Sequence, residues 1–220
     1  MMKIENLSYR HKNSGDDVLK GLHVHFKAGK LHVILVPPDS SKTALLSVMT
    51  GLDMPTEGSV SIDGDCLTTA DLNLLRQERV AVIYQAFHLF PLLTALENVC
   101  YPMEQSGMEK QAARRKAKEL LESVGISEDR HGRYPAHLSG GEQQRAAIAR
   151  ALSTGARVIL ADEPTGNLDA DNSEVIIAIL RHLAHKQGYC VIIFTQDSEI
   201  AQISDAVYRM SDGTIRRATL

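Results

Sequence analysis

Hydrophobic and polar positions divide the chain into three textures. In residues 2–62, Leu22, Val24 and Phe26 alternate with polar neighbours, which predicts a strand with one buried face. LHVILV at 31–36 is unbroken apolar sequence, the pattern of a central strand covered on both faces. A Pro- and Ser-rich loop follows, then KTALLSVMT, a helical pattern stopped by Gly51. Val60 and Ile62 alternate before Asp63-Gly64, a hairpin signal. Between 89 and 152 the texture is helical. Ala113, Ala117, Leu120, Leu121 and Val124 recur at helical spacing up to a stop at Gly125, while Lys110, Arg114, Arg115 and Lys118 populate a solvated face. From about 157 the order is strand, helix, strand: RVILAD, a stripe of Val175, Ile176, Ile179, Leu180 and Leu183, then CVIIFT, with a final strand pair around Asp212-Gly213. Buried strands alternating with helices imply an α/β fold on a mainly parallel sheet, with the middle helices inserted into it.

Composition narrows the function. The 220 residues, 44% hydrophobic and 23% charged, are ordinary for a globular chain. Lys and Arg total 24 against 27 Asp and Glu, and Trp is absent, so neither a basic footprint nor a base-stacking surface points to nucleic acid. No apolar run reaches the ~18–20 residues of a membrane span, and MMKIENLSYR lacks the apolar stretch of a signal peptide. Cys66, Cys100 and Cys190 are scattered and odd in number, as expected for reduced thiols in cytosol.

Three segments carry chemistry. The strand–loop–helix at 31–50 contains Lys42-Thr43 where a phosphate loop, G-x-x-x-x-G-K-[ST], places its Lys for the outer phosphates and its hydroxyl for Mg²⁺; taken alone, it is also an ordinary helix start. LSGGEQQR (138–145) puts Ser139, Gly140, Gly141 and Glu142 before an apolar helical run, either an anion site at a helix N-terminus or a Ser cap, although a cap has no use for two consecutive glycines. VILADEPTGNLD (158–169) delivers Asp162 and Glu163 at the C-terminal end of a strand. There two carboxylates can divide work between Mg²⁺ and an attacking water, or simply cap the next helix.

In this order the three segments resemble the ATP-binding cassette ATPases, the motor subunits of ABC transporters, over essentially the whole chain. TALENV (94–99) after YQAFHLFPLL, and PTGNLD, are similar to the branch serving lipoprotein release, macrolide export and peptide-antibiotic resistance. The resemblance implies a P-loop NTPase core with an antiparallel β subdomain (1–88 and 153–220) and an inserted helical subdomain (89–152) within one domain spanning 1–220. It implies ATP and Mg²⁺ as ligands. A transmembrane permease subunit and a second ABC ATPase subunit, in a homo- or heterodimer, are the implied partners, and the cytoplasmic face of the membrane is the implied location. In such a pair each ATP lies between one subunit's phosphate loop and the other's signature. By matched position, Tyr9 would stack on adenine. Pro38, Asp39, Ser40, Ser41, Lys42, Thr43 and Ala44 would form the phosphate loop, with Lys42 on the β and γ phosphates. Thr43, Gln85 and Asp162 would hold Mg²⁺, Gln85 would also meet the water and relay to the membrane partner, and Glu163 would be the general base. Ser139, Gly140, Gly141 and Glu142 would reach ATP on the opposite subunit, and Asp169 would link the subunits.

Against the family's loop, Val36, Asp39 and Ser41 stand where glycine is usual, and Gln196 replaces the switch histidine. A left-handed backbone at Val36 would cost ~1–2 kcal/mol. Asp39 adds about 3 kcal/mol of repulsion per phosphate charge at ~5 Å and an effective dielectric of 20, before Mg²⁺ and Lys42 offset it. With signature and acid pair intact, the expectation divides between an active ATPase and a nucleotide-binding-impaired subunit that completes the site of an intact partner. The pairs His23/His25 and His182/His185 lack further ligands at metal-site spacing.

Overall fold

The computed structural model describes residues 1–11, 16–38, 41–67 and 78–218. Strands β1 (Met2–Tyr9), β2 (Leu19–Phe26), β4 (Glu57–Ile62) and β5 (Asp65–Cys66) form an antiparallel sheet in the order β2-β1-β4-β5. The second sheet contains β3 (Lys30–Leu35), β6 (Val80–Ile83), β7 (Val158–Asp162), β8 (Cys190–Thr195), β9 (Ala206–Ser211) and β10 (Thr214–Ala218), in the order β10-β9-β3-β8-β7-β6. It is parallel except for β10, which pairs antiparallel with β9.

The unbroken apolar strands do lie between two layers. In β3, Leu31, Val33 and Leu35 face a core shared with helices, while Ile34, like Val36 just after the strand, faces one shared with the antiparallel sheet. β8 divides likewise, Val191 and Ile193 to one side and Cys190, Ile192 and Phe194 to the other. Phe194 and Phe26 are fully buried, each stabilising by about 1.5–3 kcal/mol. Between them the layers enclose α1 (Lys42–Met49) on the antiparallel side.

The helical stretch contains α2 (Ala95–Gln105), α3 (Lys110–Ser123), α4 (Glu128–His131) and α5 (Gly140–Ser153); α6 (Ala170–Gln187) and α7 (Ser198–Gln202) follow β7 and β8. Ala113, Ala117 and Leu121 are the buried stripe of α3, as their spacing predicts, and they join the same core as Ile176, Leu180 and Leu183 of α6. Asp63-Gly64 and Asp212-Gly213 turn the two hairpins with positive φ at both residues, the geometry a two-residue hairpin favours.

Candidate functional site

Four parallel strands end on one side of their sheet, and the chain leaving each supplies a polar group. This is where open α/β sheets place their sites. After β3 comes the loop to Lys42, the first residue of α1; after β7, Asp162 and Glu163; after β8, Thr195 and Gln196; after β6, Tyr84 and Gln85. An open cleft of about 920 Å³ is lined by Lys42, Gln85, Glu163, Gly166, Thr195 and Gln196, among others.

The Lys42 ammonium lies 2.6 Å from Asp162 Oδ1, both side chains being largely buried. Glu163 has φ of +44° although it is not glycine, and it precedes Pro164, where a backbone is ordinarily extended. That conformation costs about 1–3 kcal/mol, and hydrogen bonds hold it. The Glu163 amide donates to Phe194 O at 2.9 Å and its carbonyl accepts from Gly166 N–H at 3.1 Å. The carboxylate accepts from Thr195 Oγ1 at 2.9 Å and from Gln196 N–H at 3.0 Å. Gln85 donates to Asn167 Oδ1 at 3.2 Å, and Asn167 returns a bond to Gln85 O at 3.0 Å. Gly166 lies close beside it, since a Cβ there would stand 2.7 Å from Gln85 Nε2 and would oblige that side chain to move.

Of the expected loop residues, Asp39 and Ser40 lie outside the described residues. The left-handed backbone expected at Val36 is absent, and Ser41, also in a usual glycine position, has none either. Neither has positive φ: Val36 directly follows β3, its N–H donating to Thr195 O at 3.0 Å, and Ser41 sits at φ −72° before α1. Pro38, expected to cradle phosphate, is exposed and has no N–H to donate. Thr43 is exposed on the first turn of α1, and Ala44 is buried behind it. Tyr9 is 7% exposed, packed edge-on against His11, and is not part of the cleft lining.

Ser139, Gly140, Gly141 and Glu142 also lie off this cleft, at the start of α5. Ser139 and Glu142 form a reciprocal capping box. Glu142 is held below the usual carboxylate range chiefly by the N–H of Ser139. Gly141 has a packing use that the sequence did not reveal, since a Cβ there would collide with the Asn172 side chain, which Asp169 holds by two hydrogen bonds. Asp169 caps α6, accepting from Asn172 N–H at 2.8 Å, and that bond holds its carboxyl low as well. At the far end of α5, Arg150 donates to His88 O at 2.6 Å and Phe87 O at 3.3 Å, two successive non-glycine residues with positive φ just after Gln85.

The donor set suits a hard cation. Thr43 offers a hydroxyl, Gln85 an amide oxygen and Asp162 a carboxylate, all oxygen ligands of the kind Mg²⁺ takes alongside phosphate. No group of three His, Cys, Asp or Glu among the described residues could hold a metal unaided.

A family model described as ABC transporter matches residues 19–166. The chain is 37% identical over 214 residues to the uncharacterized ABC transporter ATP-binding protein YclH of Bacillus subtilis, covering 97% of this chain and 95% of YclH. It is 41% identical over 213 residues to the macrolide export ATP-binding/permease protein MacB of Escherichia coli, covering 96% of this chain but 33% of MacB, so it spans about a third of that relative. Among solved structures, a dimeric post-hydrolysis state of the ATP-binding cassette MJ0796 bound to ADP and Pi superposes with a TM-score of 0.89 at 34% identity, covering 100% of this chain and 99% of that one.

Proposed function

This chain belongs to the ABC transporter family as an ATP-binding, energy-coupling ATPase subunit, and from that premise we propose that it hydrolyses MgATP in the cleft at the ends of β3, β8, β7 and β6. The convergence of Lys42, Asp162, Glu163 and Gln85 supports this most directly. Lys42 would exchange the Asp162 carboxylate for β and γ phosphate oxygens. Asp162, Thr43 and Gln85 would then hold Mg²⁺, which neutralises charge developing on the phosphoryl group. Glu163, with its carboxylate fixed at both oxygens, would take the proton of the attacking water. Tyr9 would have to leave its packing against His11 to stack on adenine.

Ser139 to Glu142, together with Asp169, would act toward ATP held by a second cassette, a role supported by the likeness to a cassette solved as a dimer. A membrane permease would be the output partner, with this subunit on the cytoplasmic face. No helix among the described residues is long and apolar enough to cross a membrane. One domain, with a core of 1–88 and 153–220 and helical residues 89–152, fits these roles. A second reading, an impaired subunit that completes an intact partner's site, is favoured by Gln196, which cannot accept a proton at neutral pH, and by Pro38.

Turnover and MgATP binding by the purified protein test both. Activity that Glu163→Gln lowers at least a hundredfold with binding retained supports hydrolysis in this cleft, and Gln196→His should raise it. Turnover unaffected by Glu163→Gln would rule out the assigned base, while neither binding nor turnover would favour the second reading.

A further inference from the structure

The geometry points to Thr195 as the positioning residue for the Glu163 carboxylate, an inference that rests on the reading of Glu163 as the base. Thr195 is the last residue of β8 and 1% exposed. Its Oγ1 accepts from Asp197 N–H at 3.1 Å, which leaves the hydroxyl hydrogen for Glu163 Oε2 at 2.9 Å. The other carboxylate oxygen takes the Gln196 N–H at 3.0 Å. Thr195 O in turn accepts the Val36 N–H, so the same residue ties the phosphate-loop strand to the carboxylate.

Glu163 needs such a partner. Its backbone lies in the costly left-handed region before a proline, a conformation that persists only where surrounding contacts hold it. The two donors fix both oxygens, and one of them is a main-chain amide. Replacing a histidine by glutamine at 196 therefore leaves that contact in place, because any residue except proline supplies the N–H. What the replacement removes is side-chain proton chemistry; the aim of Glu163 stays with Thr195.

The test uses the full chain with ¹³C-carboxyl-labelled glutamate, the Glu163 resonance being assigned by its loss in Glu163→Gln. Thr195→Val keeps the buried shape and removes the hydroxyl; it should move that resonance and lower kcat about tenfold to a hundredfold with KM little changed. Thr195→Ser should restore both. A resonance and kcat unmoved in Thr195→Val, or lost equally in Thr195→Ser, would overturn the assignment. If wild-type turnover is undetectable, the resonance decides alone. Should Glu163→Gln turn over like wild type while the Thr195→Val resonance moves, the general-base reading fails and the positioning contact stands.

Discussion

Val36 and Asp39 look like one kind of departure from a glycine-rich loop, but the backbone at Val36 and the charge of Asp39 set them apart. Val36 has no positive φ and is 3% exposed, so no left-handed strain awaits relief there. Val36→Gly should leave MgATP affinity unchanged and destabilise the fold by about 2–3 kcal/mol through the lost side chain and added chain entropy. Asp39→Gly removes a like charge and should tighten MgATP binding at least tenfold; calorimetry and thermal melting of the two variants separate these outcomes. The motif showed which residues to examine and not which of them matter. Lys42, Asp162 and Glu163 were legible because each ends or follows a patterned strand. Thr195 was not, because a threonine closing an apolar run carries no sign of its neighbour from residue 163. Pro38 was in view but counted as a ligand, although it has no amide hydrogen to give.

Among the elements, α5 does more than its sequence pattern discloses. Its spacing announced a buried helix after LSGGEQQR, and Ala146, Ile148 and Ala149 are indeed buried. The use of Gly141 against Asn172, and the hold of Arg150 on the carbonyls of Phe87 and His88, depend on partners distant in sequence. One rigid helix thus begins at the signature and ends on the loop after Gln85. The Ser139–Glu142 capping box sets its first turn, so Ser139→Ala should cost about 1 kcal/mol of stability, measured by urea denaturation. If Ser139 also reaches a second subunit's ATP, that variant loses partner-dependent turnover well beyond what the destabilisation explains.

For the molecule as a whole, one contribution to acid stability comes from a group at the opposite end of the sheet from the cleft. Asp205 meets His185 Nε2 at 2.7 Å, Leu31 N–H at 2.8 Å and Lys30 Nζ at 2.9 Å. Burial opposes its ionisation, but these bonds outweigh that and lower its pKa to about 2. Because the folded value lies below the ~3.9 of an unfolded chain, its stabilisation is full above about pH 4 and is lost as pH falls toward 2. Asp205→Asn should lower the melting temperature at pH 7 and flatten its fall between pH 4 and 2. The same four residues join α6, the start of β3 and the approach to β9. β3 itself has two sheet neighbours, β8 through residues 190–195 and β9 through 206–209, both late in the chain. During translation its apolar run 31–36 therefore waits without either neighbour until some 160 further residues are made, roughly 8–30 s at 5–20 residues per second. Over that interval a strand destined for the middle of the sheet has two bare edges, and the nascent protein depends on the ribosome and its attendant chaperones to keep them apart from those of other chains.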